Sequence, residues 1–420
     1  MLHNSPLSYD IAMIGAGPAG IMAAVRAMTG KSLKVILIEK NSDIGRKILI
    51  SGKGRCNITN DAPVETFVEE FGKQGKFLRS AFFRFSSQDL RDLLEKEGLK
   101  LKVERQGRLF PATDRAVSVV KTLQGLLSKK GIEIIYNSQV SSLKKADKDF
   151  VIGIGSAKDK IRAKKVILST GGASYKVTGS SGDGFKLARA LGHTITPLKP
   201  GLVPLKVKER WAMDLQGLSL KNVRFTFKAG REKIVSEIGE ASFTHFGVSG
   251  PLVLDLSRDV ISMLDNKGAV KLLIDLKPGI EHEELGKRLL REFSSGGSTI
   301  VRNAMKTLLP SRLALTLTDL CGVDPEKKAS QITRSERHKI VEHLKALPLT
   351  IIGSLPLEEA MVTCGGVSIK EIDPRTMESK LVPGLYFAGE IIDGCAKSGG
   401  YNMQQAFSTG FLAGEAAANA

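Results

Sequence analysis

The stretch Ile11-Ala12-Met13-Ile14-Gly15-Ala16-Gly17-Pro18-Ala19-Gly20 runs an apolar segment straight into a Gly-x-Gly-x-x-Gly turn. An apolar helix is predicted over Ile21 to Met28. A second strand is predicted over Leu33 to Ile38, ending in Glu39. Together they make a βαβ unit with an acid at the tip of its second strand. Gly15 permits the tight turn, Gly17 lets the backbone approach a pyrophosphate, and Gly20 lets the helix pack on the sheet. The helix N-terminus, with Pro18 and Ala19 between the glycines, offers N–H groups and a partial positive charge to phosphates. Glu39, expected to be exposed, can accept both hydroxyls of a ribose and would repel a 2′-phosphate. The expected ligand is a dinucleotide, since a plain strand–helix turn would leave Glu39 without a purpose.

A chain of 420 residues is long for one core, so two or three domains are expected. An apolar fraction of 42% suits a globular protein. Cys56, Cys321, Cys364 and Cys395 are scattered without a Cys-x-x-Cys, which predicts reduced thiols in a cytoplasmic protein rather than a disulfide scaffold, a zinc site or a dithiol reductase. Met1 to Asp10 lacks an apolar core, so no secretory leader is expected. No window reaches the length of a membrane span. His3, His193, His282, His338 and His343 lack metal-ligand spacing, and no metal is expected. The net charge of +18 comes from dispersed pieces such as Lys144-Lys145 and Lys327-Lys328, which read as solvated faces. Such a surface can attract an anionic substrate or nucleic acid, but no nucleic-acid motif accompanies it.

Farther on, the pattern remains α/β. Ser86 and Asp89 form a capping box for a helix stopped near Gly98, and Asp114 is predicted to cap the next helix. Val166 to Leu168 reads as a strand running into Thr170-Gly171-Gly172. Composition changes at Pro197, Pro200 and Pro204, where short alternating runs predict an antiparallel β part. After Pro278 the pattern turns helical. The predicted architecture is α/β: a Rossmann-like dinucleotide-binding domain split in sequence (1–198 and 349–420), an inserted β-rich domain (199–277) and an inserted helical subdomain (278–348). In the last part, a buried strand leads to Gly389, and Gly399-Gly400 opens a helix with small residues at Ala406, Thr409, Gly410, Ala413 and Gly414, suited to close packing.

These segments resemble the two-dinucleotide-binding-domain flavoproteins, and more narrowly the bacterial BaiN-like (YhiN-like) FAD-dependent oxidoreductase family. The carrying motifs are Ile14 to Gly20, the string Gly45 to Asn60, Thr170 to Tyr175, Phe243 to Pro251, and Gly399-Gly400-Tyr401-Asn402. The Gly45 and Phe243 strings are the more specific. Lys53 stands where the family has a small residue, and Gly394-Cys395-Ala396-Lys397 departs from the family's Asp-Gly-rich stretch. The resemblance implies that the split Rossmann-like domain is an FAD-binding domain, with tightly bound FAD and redox chemistry on a small molecule. No second fingerprint for a resident nicotinamide cofactor is present, so NAD(P)H, if it is the donor, visits transiently.

The expected cofactor cradle comprises Gly15, Gly17, Pro18, Ala19, Gly20, Glu39 and Lys40. It continues through the loop residues Arg46, Lys47, Ser51, Gly52, Gly54, Arg55, Cys56 and Asn57, where the cations can neutralise pyrophosphate and Ser51 and Asn57 can bond a flavin edge. Thr170, Gly171 and Gly172 permit a close backbone approach. Gly389, Glu390 and Asp393 lie at a strand end where related folds bond the ribityl chain. Gly399, Gly400, Tyr401 and Asn402 are expected to aim a helix N-terminus at the flavin. Cys56 reads as a buried small residue rather than a nucleophile. His245, Tyr175 and Lys397 are the candidate proton donors. The sequence reading is an FAD oxidoreductase exchanging a hydride with a small molecule. Its alternatives are a flavoprotein of the tRNA-modifying type and a non-catalytic flavin-binding protein.

Overall fold

The computed structural model describes residues 8–155, 159–295 and 298–420, so His3 lies outside the described residues. The chain divides into two compact units, one built from residues up to Gly201 and from Pro356 onward, the other from Leu202 to Leu355. The division falls a few residues beyond the composition breaks read from the sequence. The β part and the helical part of the insertion share one unit.

The first unit opens with β1 (Ser8–Ile14), α1 (Pro18–Ala27) and β2 (Val35–Ile38), all nearly continuous apolar runs. Parallel strands covered on both faces need such runs. A short helix α2 (Arg46–Ile50) leads to strand β3 (Thr59–Asn60) and the helices α3 (Val64–Glu70), α4 (Gly75–Arg84) and α5 (Ser87–Lys96). The Ser86–Asp89 capping box is present at the start of α5. Next come β4 (Leu101–Val103), β5 (Arg108–Pro111) and α6 (Ala116–Lys129). Asp114 does not cap α6: the N-cap is Arg115, and the Asp114 carboxylate is drawn instead to Arg55 and Lys102.

The sheet continues with β6 (Glu133–Ile135), β7 (Val140–Ala146), β8 (Asp149–Ile154) and β9 (Asp159–Leu168). Its path is β6-β2-β1-β9-β8-β7. Helix α7 (Asp183–Ala190) and a short strand β10 (Lys199–Gly201) close this half of the unit.

The second unit is an antiparallel sheet with helices. It contains β11 (Leu205–Val207), α8 (Arg210–Asp214), β12 (Ser219–Ala229), β13 (Glu232–Val235), β14 (Gly239–Thr244), β15 (Gly247–Ser249), α9 (Pro251–Lys267) and β16 (Val270–Asp275). Four helices follow, α10 (His282–Ser295), α11 (Val301–Lys306), α12 (Ser311–Leu320) and α13 (Arg334–Ala346), before β17 (Leu347–Ser354). The strand order is β13-β12-β14-β15-β11-β17-β16, with β12 also paired to β16. Phe225 and Phe227 on β12 and Leu272 and Ile274 on β16 are fully buried, while Lys228 and Lys271 on the same strands are exposed. This is the period-2 alternation of a sheet with one buried face.

On its return the chain adds β18 (Val362–Cys364), antiparallel to β10, then β19 (Leu385–Phe387) and the long α14 (Tyr401–Asn419). β19 lies parallel to the last residues of β9, completing the first sheet. α14 packs against α1 at backbone distance. A Cβ at Gly410 would stand 2.2 Å from the Ala19 carbonyl oxygen, and one at Gly414 would stand 2.2 Å from that of Ala23. The small-residue face of α14 therefore permits this approach.

Candidate cofactor site

Register places four strand ends side by side. Ile14 pairs with Ile38 on one side and Leu168 on the other, and Leu168 pairs with Phe387. The residues that leave this edge are Gly15, Glu39, Ser169-Thr170 and Ala388-Gly389. The crevice beyond the carboxyl ends of parallel strands is where doubly wound sheets bind ligands. Gly15 has φ +103°, and a Cβ there would meet the Ser169 carbonyl at 2.6 Å. A Cβ at Gly20 would meet the Gly15 carbonyl at 1.9 Å, so α1 touches the turn. Gly17 has nothing within 4 Å of its missing side chain, and its backbone is open to a ligand.

Glu39 is only 7% exposed, which corrects the expectation of an exposed acid. Its Oε2 accepts from the Ala16 N–H at 2.8 Å, and its Oε1 accepts from the Asn41 N–H and Nδ2 at 2.9 and 2.6 Å. The carboxylate thus also ties the glycine turn to the end of β2. Lys40 pairs with Asp183 at 2.8 Å and reaches Ser181, an arrangement the sequence reading did not anticipate.

The loop after α2 is tightly wound. Gly52, Lys53 and Gly54 all have positive φ, as does Cys56. For Lys53 this left-handed backbone is unfavourable, and a glycine would adopt it more easily. Ser51 Oγ bonds the Ile48 carbonyl within the loop. Burial pushes the Cys56 thiol up to about 12, so it holds its proton and packs as a small apolar residue. Arg55 is engaged elsewhere than at a pyrophosphate. It bonds Glu104 and Asp114 and stacks over Phe110, with its guanidinium 4.2 Å from the ring centroid. Arg46 sits by Ser42 and Asp43.

Lys47 turns inward. Its Nζ is 2.6 Å from Glu390 Oε2 and 3.0 Å from Ser174 Oγ. Glu390 Oε1 accepts from the Thr363 N–H at 2.7 Å and from Ser174 at 3.1 Å. Burial alone would raise the pKa of this carboxyl, but the Lys47 charge and these donors hold it below the ordinary carboxylate range. A Cβ on Gly172 would lie 2.3 Å from Thr363 Oγ1 and 3.0 Å from Glu390, so Thr170-Gly171-Gly172 folds directly over the cluster. Gly389 has φ +79° and donates its N–H to Thr409 Oγ1. Asp393, half-buried, is raised above the usual carboxylate range by burial, against hydrogen bonds from Thr196 and Gln74.

The entry to α14 is fixed from both sides. Asn60 Nδ2 donates to the Gly399 carbonyl at 3.0 Å, and a Cβ on Gly400 would strike the Thr59 backbone at 2.4 Å. Asn402 accepts from the Ala396 N–H and donates back to the Ala396 carbonyl, both at 2.9 Å. Tyr401 meets Phe67 edge-on. Lys397 is exposed, 4.0 Å from Glu70. Tyr175 is half-buried with φ +51°, its N–H bonded to the Glu358 carbonyl. His245 lies in the second unit, exposed at the turn between β14 and β15, edge-on to Phe246.

The cysteine expectation is overturned. Cys364 and Cys395 form a disulfide with Cα atoms 5.2 Å apart, while Cys56 and Cys321 are free and buried. The partners are 31 residues apart in sequence and meet where the chain just beyond β18, at Val367, bridges Ile392 in the segment that follows β19. Nothing in local spacing announces that meeting. Among the described residues no cluster of His, Cys, Asp and Glu is arranged to hold a metal ion.

Two buried polar atoms in the cradle, Asn57 Oδ1 and Thr170 Oγ1, have no hydrogen-bond partner among the described residues. Buried acceptors and hydroxyls are normally satisfied, so a polar ligand at these positions fits the site. The open Gly17 backbone, Glu39 and these two atoms together suit FAD.

Residues 9–416 match the family described as HI0933-like protein Rossmann domain. The chain belongs to the HI0933-like family. Within reach of this HI0933-like protein is the 3-dehydro-bile acid delta(4,6)-reductase of Clostridium scindens, 32% identical over 97% of this chain and 98% of the relative. A ribosomal RNA dihydrouridine synthase of Escherichia coli K12 is 31% identical over 96% of each chain. Among solved structures, an open flavocytochrome c3 fumarate reductase aligns over 99% of this chain and 79% of its own, at TM-score 0.54 and 19% identity, which shows a shared fold. This HI0933-like chain is an FAD-dependent oxidoreductase with a Rossmann-like α/β fold. No helix among the described residues is long and apolar enough to cross a membrane.

Proposed function

We propose that this protein reduces a carbon–carbon double bond conjugated to a carbonyl, using FAD. The observation that carries this reading is that two differently named relatives, each aligned over nearly its whole length, share that chemistry. A 3-oxo compound with double bonds at positions 4 and 6 is a conjugated dienone, and dihydrouridine is uridine saturated at the double bond conjugated to its C4 carbonyl. In both cases a hydride adds to the carbon remote from the carbonyl and a proton follows. FAD, when bound, supplies the hydride. The chain's own part is to hold the cofactor through the Gly15–Gly20 turn, Glu39 and the Glu390 cluster, and to deliver the proton. His245, on its exposed turn, is our candidate donor, with Tyr175 and Lys397 as alternatives. NADH or NADPH, visiting transiently, is the proposed electron source.

A nucleic-acid substrate is favoured over a free small molecule by one feature of the second unit. Lys228 pairs in register with Lys233 on one side and Lys271 on the other, and all three are exposed. Like charges directly opposite on neighbouring strands destabilise a sheet. A row of three makes sense as a seat for a phosphate backbone, and the net charge of +18 agrees with it. The test is anaerobic reoxidation of the reduced, FAD-loaded protein by a 3-oxo-Δ4 steroid or by ribosomal RNA lacking dihydrouridine, with mass analysis of the product. Gain of two hydrogens by a uridine supports the nucleic-acid form and gain by the steroid supports the small-molecule form. Failure of both removes the proposal.

A further inference from the structure

The Cys364–Cys395 bridge lies on the two segments that build the Glu390 side of the cradle. Cys364 directly follows Thr363, which donates its N–H to Glu390 and accepts from the Ala173 N–H at 2.8 Å. Cys395 sits four residues before Gly399, and Asn402 in the first turn of α14 clamps the adjoining Ala396. The strand facing β18 leaves room for the sulfurs: a Cβ on Gly201 would be 2.6 Å from Cys364 Sγ and 3.5 Å from Cys395 Sγ. Stability does not call for this bridge, because the unit around it already has an extensive apolar core. Nor is it placed for exchange with thiols in bulk water, since Cys364 and Cys395 are 9% and 6% exposed. Both sulfurs are thus largely shielded from bulk solvent and lie on segments that also shape the cradle.

We propose that Cys364 and Cys395 form a second two-electron redox centre that exchanges electrons with the bound flavin. In the reducing direction the sulfur–sulfur bond breaks and two S–H bonds form. The two electrons and two protons come from dihydroflavin, which returns to oxidised flavin, so the exchange balances without a further reagent. Cys56, buried with its thiol proton firmly held, is not a competing partner. The pair would let the enzyme store a second pair of electrons between encounters with its donor and its substrate. This inference goes beyond the proposed substrate and depends only on FAD being bound.

The experiment is anaerobic dithionite titration of the air-oxidised, FAD-loaded protein, followed by alkylation under denaturing conditions and mass counting of modified cysteines. The expected uptake is four electrons per FAD, with alkylated cysteines rising from two to all four. The double variant Cys364→Ser, Cys395→Ser should take up two electrons per FAD. Protein stripped of FAD should keep its bridge under the same treatment. Complete flavin reduction with the bridge intact would overturn the proposal. So would equally fast loss of the bridge without FAD, or air-oxidised protein in which all four cysteines alkylate. Because the wild-type titration decides by itself, poor folding of the variant leaves the test standing.

Discussion

Replacing Glu39 with alanine should damage the protein twice, and the two losses are separable. In the free protein the carboxylate accepts from the fully buried Ala16 N–H and from Asn41. Removing it orphans the Ala16 donor, at a cost of about 1–3 kcal/mol. For a unit of this size each kcal/mol lowers the melting temperature by roughly 2–4 °C. FAD-free Glu39→Ala protein should therefore melt several degrees below FAD-free wild type. With FAD present, the variant also lacks an acceptor for the adenosine ribose. Loss of even one charge-assisted bond of ~1.5 kcal/mol weakens binding about tenfold. Thermal unfolding with and without FAD, together with FAD titration by fluorescence, reads both quantities. Glu39→Gln, which keeps one acceptor oxygen, should recover part of the stability and less of the affinity. An unchanged FAD affinity in Glu39→Ala would refute the ribose assignment, and an unchanged FAD-free melting temperature would refute the strut role.

Gly410→Ala and Gly125→Ala make the same chemical change in two helices with opposite expected signs. The first forces a methyl to 2.2 Å from the Ala19 carbonyl and should cost ~1–3 kcal/mol and loosen FAD, whereas the second meets open space and should add ~0.5–1 kcal/mol, both read by denaturant melts. His193 is held below its ordinary value by burial, against the pull of Glu371, while Ser379 contacts its other nitrogen. The unfolded chain accepts a proton there more readily than the folded one, so stability is full above the ordinary histidine value and declines as pH falls from it toward the folded value. His193→Asn should flatten melting temperature against pH between ~7.5 and ~5.5, and a curve as steep as wild type would count against the assignment. His245→Ala should slow flavin reoxidation by substrate by about 10²–10⁴-fold with FAD content unchanged, and a normal rate would remove it as proton donor.

What the sequence made legible was local. The βαβ unit could be read because strand, glycine turn, helix and acid follow one another without interruption from β1 to Glu39, and the small-residue face of α14 because its spacing is helical. The Ser86–Asp89 box needed only the four residues from N-cap to N3. The features missed depend on distant partners. Asp114 has the chemistry of a cap but is captured by Arg55 and Lys102. Lys47 meets Glu390 across 343 positions, and the buried Glu39 carboxylate is tied back to Ala16 in the glycine turn. The disulfide required the end of β18 to meet the segment after β19, which no periodicity encodes.

The pairing of β9 with β19 also constrains how the molecule is made. Val166 to Leu168 emerges from the ribosome roughly two hundred residues before Leu385 to Phe387. At bacterial or eukaryotic elongation rates of ~5–20 residues per second, that edge of the nascent sheet waits about 10–40 s for its neighbour. Throughout that interval the growing chain presents an unsatisfied apolar strand edge, the kind of surface that pairs with another chain. Translation speed through the inserted unit, and the presence of a holdase, should therefore govern the yield of soluble protein more than the final stability does.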